Sequence, residues 1–138
     1  VRAARITAII FAVLTAGVVG FQLALALGAP WGAYAMGGAF PGVYPPAMRV
    51  AAVVQAGLLA VLALVVLSRS GLALARWSRV ARWAIWLVVA FSALSVLLNA
   101  ITPSAGERAI WVPVTVGLLA CSLTVAVITR REARRRPA

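Results

Sequence analysis

The sequence predicts an all-α integral membrane bundle of four helices with both termini on the cytoplasmic side. Three observations carry that expectation. The chain of 138 residues is 64% hydrophobic and only 11% charged, too little polar surface for a soluble globule of this size. Its apolar residues fall into four uncharged runs long enough to cross hydrocarbon. Its net charge of +11 sits in short arginine clusters outside those runs.

The first span covers 6–27, "ITAIIFAVLTAGVVGFQLALAL". At 1.5 Å per residue it reaches about 33 Å, enough for a hydrocarbon core of about 30 Å. Arg2 and Arg5 ahead of it, with Ala24-Leu25-Ala26 at its end, also allow a cleavable signal peptide. The run is longer than the usual h-region of about 7–15 residues, which favours a permanent helix. Small residues recur every four positions at Ala12, Ala16, Gly20, Ala24 and Gly28, a ladder that lets another backbone approach closely.

Residues 28–47 form an outer loop that is uncharged, rich in glycine and carries Trp31, Tyr34, Phe40 and Tyr44. Such a loop settles among lipid headgroups and folds back over the bundle, either as a lid on a cavity or as a structural plug. Pro45-Pro46 stiffens the return, since proline is tolerated in a first helical turn. The second span, 50–67, repeats the small-residue pattern with Ala52, Ala56 and Ala60. The two ladders face each other, or one of them faces a second copy.

An inner loop at 68–82 holds Arg69, Arg76, Arg79 and Arg82 and serves as a topology anchor or a short amphipathic stretch on the leaflet. The third span, 83–101, carries a polar stripe. Ser92, Ser95, Asn99 and Thr102 fall within roughly 80° of one another at about 100° per residue. The fourth span, 110–128, carries Thr115 and Ser122, with Thr129 one heptad further on. Neither stripe suits lipid tails, so the two are expected to pack together, and Pro113 is expected to kink the fourth helix. A basic tail, 129–138, closes the chain, and the whole of 1–138 is one transmembrane domain.

Orientation follows from the arginines. Arg2, Arg5, the four of the inner loop, and Arg130, Arg131, Arg134, Arg135 and Arg136 lie on one side; only Arg49 and Arg108 lie on the other. The positive-inside rule places the rich side in the cytoplasm, and a multi-pass plasma (inner) membrane protein follows. The partners expected are the bilayer and anionic headgroups on its cytoplasmic face, with a membrane-protein partner or a second copy. Charge gathered at helix ends argues against nucleic acid.

Polar groups at membrane depth are functional candidates. Gln22, Gln55 and Asn99 lie in the outer halves of their spans, with Trp31, Tyr34, Arg49, Glu107 and Arg108 just above them. These eight are the candidate ligand-binding residues. Glu107 also completes "Ser104-Ala105-Gly106-Glu107", a capping box at the start of the fourth helix. Arg49 and Arg108 are expected to reach headgroups or to pair with Glu107.

Much chemistry is excluded. Every basic residue is arginine, His, Lys and Asp are absent, and Glu107 and Glu132 are the only acids. No Ser/His or Cys/His pair, carboxylate dyad or metal-ligand cluster can be built, so no catalytic residues, metal or cofactor are expected. Cys121 lies in an apolar run and reads as an inert thiol.

"GAPWG" after the first span and "TPSAGER" shortly before "IWVP" resemble small four-span membrane proteins of high-GC bacteria. The resemblance implies four helices and no particular chemistry. The expected role is therefore non-enzymatic: an accessory or scaffold subunit packing with another membrane protein or itself. The alternative is binding or transport of a small lipophilic or amphipathic molecule in an outer-leaflet cavity.

Overall fold

The computed structural model describes residues 1–135. They form four long helices: α1 (Arg2–Leu27), α2 (Pro46–Arg69), α3 (Ser78–Ile101) and α4 (Ala105–Arg135). Each is long and apolar enough to cross a membrane. Short 3-10 turns at Gly32–Tyr34, Met36–Gly38 and Ala75–Trp77 punctuate the connections. The chain is a multi-pass helical bundle. Arg136, the last residue of the predicted inner cluster, lies outside the described residues, as do Pro137 and Ala138.

The helices begin earlier than the hydropathy runs. α2 starts at Pro46, α3 at Ser78 and α4 at Ala105. A polar side chain at a helix end does not stop the backbone from pairing its own donors and acceptors, and in lipid every such group must be paired. One sequence expectation changes as a result. Arg79 and Arg82 belong to the first turns of α3 instead of to a separate amphipathic stretch. Glu107 lies in the first turn of α4, as its capping box implies.

Local signals explain where the chain turns. α1 ends on Gly28, whose φ of 103° is left-handed, with Ala29 N–H donating to Ala24 O at 2.9 Å and Gly28 N–H to Leu25 O at 3.2 Å. That is a Schellman cap, which favours glycine at this position. α3 stops at Thr102, which takes extended backbone geometry ahead of Pro103, as a residue preceding proline does. α4 runs on through Pro113 as one helix, although a proline beyond the first turn removes the N–H that would pair with the carbonyl of Ala109.

α1 packs beside α2 and α4, and α3 packs beside α4 and α2, so the helices form an up-down-up-down ring. The Val1 backbone nitrogen lies 2.5 Å from Glu132 Oε1 and Arg130 sits 6.0 Å over the Trp86 ring, so the start of α1, the last turns of α4 and the α2–α3 turn share one end. At that end the core is dense: Ala8, Phe11, Val66, Ile85, Val88, Leu118, Val125 and Ala126 form one buried cluster. At the opposite end a smaller cluster of Leu25, Ala35, Tyr44 and Ala52 ties the α1–α2 connection to the two helices.

The bundle places its polarity as a bilayer requires. Thr15, Ser92, Thr115, Ser122 and Thr129 are buried, while Val54, Leu87 and Leu97 face outward. Thr115, Ser122 and Thr129 bond carbonyls of their own helix at 2.7–3.1 Å. Ser95 does the same to Phe91 O at 2.9 Å. No side-chain hydrogen bond joins the two stripes among the described residues, and Ser92, Ser95, Asn99, Thr102 and Thr115 line a cavity described below. Hydroxyls that satisfy themselves locally specify which face turns inward at little energetic cost.

The small-residue ladders divide differently from expectation. The buried residues of α1 are Ala4, Ala8, Phe11, Thr15 and Leu25, none of them in its ladder. Ala12 and Ala24 are half-buried, whereas Ala16 and Gly20 are exposed, and a Cβ at Gly20 would meet no atom within 4 Å. In α2, Ala52 and Ala56 are buried and Ala60 is exposed. Ala4, Ala8, Phe11 and Thr15 take the inward face of α1, which leaves Ala16 and Gly20 on the outside.

Candidate functional site

Away from the dense core the bundle opens into a cavity of about 720 Å³ beneath the α1–α2 connection. Each helix contributes a row at three- and four-residue spacing. α1 gives Phe11, Thr15, Val18 and Gln22, α2 gives Met48, Ala52, Gln55 and Leu59, α3 with its cap gives Ser92, Ser95, Asn99 and Thr102, and α4 gives Glu107, Trp111, Thr115 and Leu118. That spacing keeps one face of each helix on the cavity. The roof is the 28–45 connection, through Tyr34, Ala35, Met36, Gly37 and Tyr44.

The cavity has a side opening. Leu94, Leu98 and Ile101 of α3 line it while remaining exposed by 52%, 54% and 68%, and Ala51 of α2 is both lining and exposed. The seam between α2 and α3 is therefore parted at the loop end, facing the region that lipid tails would fill. Counting at about 1.5 Å per residue, Asn99 and Glu107 lie about 3 Å from the helix ends near the roof, whereas Gln55, Ser92, Thr115 and Thr15 lie about 13–18 Å from them.

The sequence candidates separate cleanly. Gln22, Gln55, Asn99, Tyr34 and Glu107 converge on the cavity. Asn99 Nδ2 donates to Ser95 O at 2.8 Å, leaving its oxygen free of side-chain bonds. Gln22 and Gln55 make no side-chain hydrogen bond among the described residues, so both amides remain available to the cavity. Gln22 and Gly20 point in nearly opposite directions, one into the bundle and one out of it.

Trp31, Arg49 and Arg108 are not part of the lining. Trp31 stacks on Phe21 at 6.1 Å and 9°, outside the cavity wall. Arg49 Nε donates to Tyr44 O at 3.0 Å, and its guanidinium lies against Gly28, where a Cβ would stand 3.2 Å from Nη2. Arg108 Nη1 donates to Thr102 O. Neither arginine pairs with Glu107 among the described residues, which rules out one of the two alternatives expected of them. Both guanidinium groups instead staple the connections at the loop end.

Glu107 forms half of the predicted capping box. Its N–H donates to Ser104 Oγ at 3.2 Å, as a cap requires. Its carboxylate does not turn back to the Ser104 backbone. Instead Oε2 accepts from Thr102 Oγ1 and from Gly37 N–H, both at 2.8 Å, which ties α4 to the roof. Oε1 takes no hydrogen bond among the described residues, and Glu107 is 9% exposed. Burial, and second the charge of Glu107, push the Tyr44 phenol above its usual range and keep it neutral.

The roof is held by close contacts. Gly32 N–H donates to Gly42 O at 2.9 Å, and a Cβ on Gly32 would fall 1.8 Å from the Phe40 carbonyl oxygen, so only glycine fits there. Trp111 Nε1 donates to Tyr34 O at 2.8 Å while its ring meets Phe21 edge-on at 4.7 Å. Ser104 Oγ donates to Ala33 O at 2.9 Å. Three side chains of the α3–α4 turn and α4 thus clamp the loop.

One residue of consequence has no counterpart among the sequence candidates. Thr15 is 2% exposed, lines the cavity, and its hydroxyl has no hydrogen-bond partner. An unpaired buried hydroxyl in apolar surroundings costs about 1–3 kcal/mol. The only signal for it in the sequence is its place one heptad before Gln22 on the same face.

No family model, curated protein or solved structure matches this chain. Its function has to be argued from the cavity.

Proposed function

We propose that this chain is a non-enzymatic plasma-membrane protein that binds a small lipophilic or amphipathic molecule in the loop-end cavity. The observation that carries the reading is the convergence of Gln22, Gln55, Asn99 and the unpaired Thr15 hydroxyl on one space of about 720 Å³. That volume is in the range occupied by drug-sized ligands, and a mostly apolar wall with a few convergent polar groups is what such sites have. Polar groups left unpaired at membrane depth are expensive unless something meets them. The parted α2–α3 seam gives a lipophile a route from the bilayer. The arginine distribution supports a topology with both termini cytoplasmic and the cavity in the outer leaflet.

A solvatochromic neutral dye, Nile red, tests this in lipid nanodiscs. Saturable binding above that of empty nanodiscs is expected, weakened roughly tenfold by Asn99→Leu, as for loss of one buried polar contact. Absence of saturable binding contradicts the reading.

A second reading has its own observation. The exposed Ala16 and Gly20 of α1 leave a shallow outward face suited to close helix packing, which supports an accessory or scaffold role. The two roles are compatible, because the ladder and the cavity occupy different faces of α1.

A further inference from the structure

We infer that the cavity selects amphiphiles bearing an ammonium group, docked at Glu107 beneath the roof. This rests on the cavity-binding reading and names its ligand class. Glu107 is the only acidic residue in the lining, and no basic residue lines the space with it. The two nearest arginines in sequence and loop, Arg49 and Arg108, are turned to the backbone carbonyls of Tyr44 and Thr102. The carboxylate therefore meets only neutral donors, Thr102 and Gly37, and both go to a single oxygen.

The other oxygen, Oε1, takes no hydrogen bond among the described residues, and Glu107 lines the cavity. A ligand N–H carrying positive charge is the strongest donor it can receive in a region of low dielectric. Tyr34 and Tyr44 of the roof and Trp111 of α4 line the same space. Aromatic rings in such a site suit an ammonium group, which gains from the ring quadrupole as well as the charge. An anionic head would face Glu107 with no cation in the lining to offset it.

Below the roof the wall consists of Phe11, Val18, Leu59, Phe91 and Leu118, with neutral amides and hydroxyls between them. The body of the ligand is thus apolar with, at most, neutral hydrogen-bonding groups. Such a molecule reaches the site from the bilayer through the α2–α3 seam, head toward the interface and body toward the midplane.

The test displaces Nile red from the nanodisc-embedded protein with three probes of equal chain length: decylamine, decanol and decanoate. In the wild type, decylamine is expected to displace the dye at a concentration at least about tenfold below decanol, the size of one charge-assisted hydrogen bond, with decanoate weakest. Glu107→Gln is expected to bring amine and alcohol within about twofold. The wild-type series decides the matter by itself if that variant does not fold. Equal displacement by amine and alcohol in the wild type overturns the ammonium assignment and leaves the cavity reading standing. Failure of the wild type to bind dye at all overturns both. Repeating the series with phosphatidylethanolamine in the bilayer identifies the source of the head group. Competition by that lipid makes the resident ligand a membrane amine, and unchanged displacement makes it a free amphiphilic amine.

Discussion

At the scale of single residues, the loop end of the bundle is held by a few contacts with no slack. Gly32→Ala would drive a methyl group into the Phe40 carbonyl, and a loss of about 3 kcal/mol is expected from overpacking against backbone that cannot move aside. Thermal unfolding in detergent reads that loss directly. Thr102→Val would remove one of the two donors on Glu107 Oε2 and is expected to cost about 1–3 kcal/mol, since a buried carboxylate is left short of partners. The Tyr44 phenol gives a pH signature. Its folded state holds the proton above the usual range, so beyond about pH 10 the unfolded chain binds fewer protons than the folded one, and stability falls as pH rises. Stability measured from pH 8 to 11 should show that decline in the wild type and not in Tyr44→Phe. Asn99 was legible in the sequence because its stripe with Ser92 and Ser95 demands burial. Thr15 was not, because a helical threonine ordinarily bonds its own preceding turn, and only the structure leaves its hydroxyl unpaired. The pairing of Glu107 with arginine failed for a related reason: backbone carbonyls at the α2 and α4 ends compete for the same guanidinium groups.

At the scale of elements, hydropathy located all four helices but placed the starts of α2, α3 and α4 too late. Charge and proline mark where the membrane ends, whereas hydrogen bonding decides where the helix ends, and the two boundaries differ by about a turn. At α4 the early start puts Glu107 in the first turn and under the roof, in keeping with its capping box. The ladder of α1 was visible as a pattern, but which way it faces was not, since residues repeating every four positions drift by about 40° per step and sweep about 160° over five of them. Its outward position leads to a specific expectation. Gly20→Leu has nothing within 4 Å to strike, so the monomer's unfolding midpoint should stay essentially unchanged. If α1 mediates self-association, the same change should shift the particle mass measured by light scattering from oligomer to monomer. Ala56→Leu, on the buried face of α2, should instead destabilise the fold by about 1–3 kcal/mol.

At the scale of the whole molecule, the bundle divides into a dense half, around Phe11, Ile85 and Val125, and a hollow half beneath the loop. The dense half fixes the helices relative to one another, which lets the other half stay open without collapse. The proposed orientation, with the termini cytoplasmic, has a test of its own. In a Cys121→Ala background, a membrane-impermeant maleimide is expected to label Ala39→Cys on intact cells and Ala133→Cys only after lysis. The most direct test of the cavity itself is native mass spectrometry of the wild-type protein released from nanodiscs, beside Asn99→Leu and Gln55→Leu. A stoichiometric small-molecule adduct on the wild type, reduced in both variants, is the expected result. A wild-type chain that flies bare, or that carries the same adducts as both variants, would contradict a binding role for the cavity.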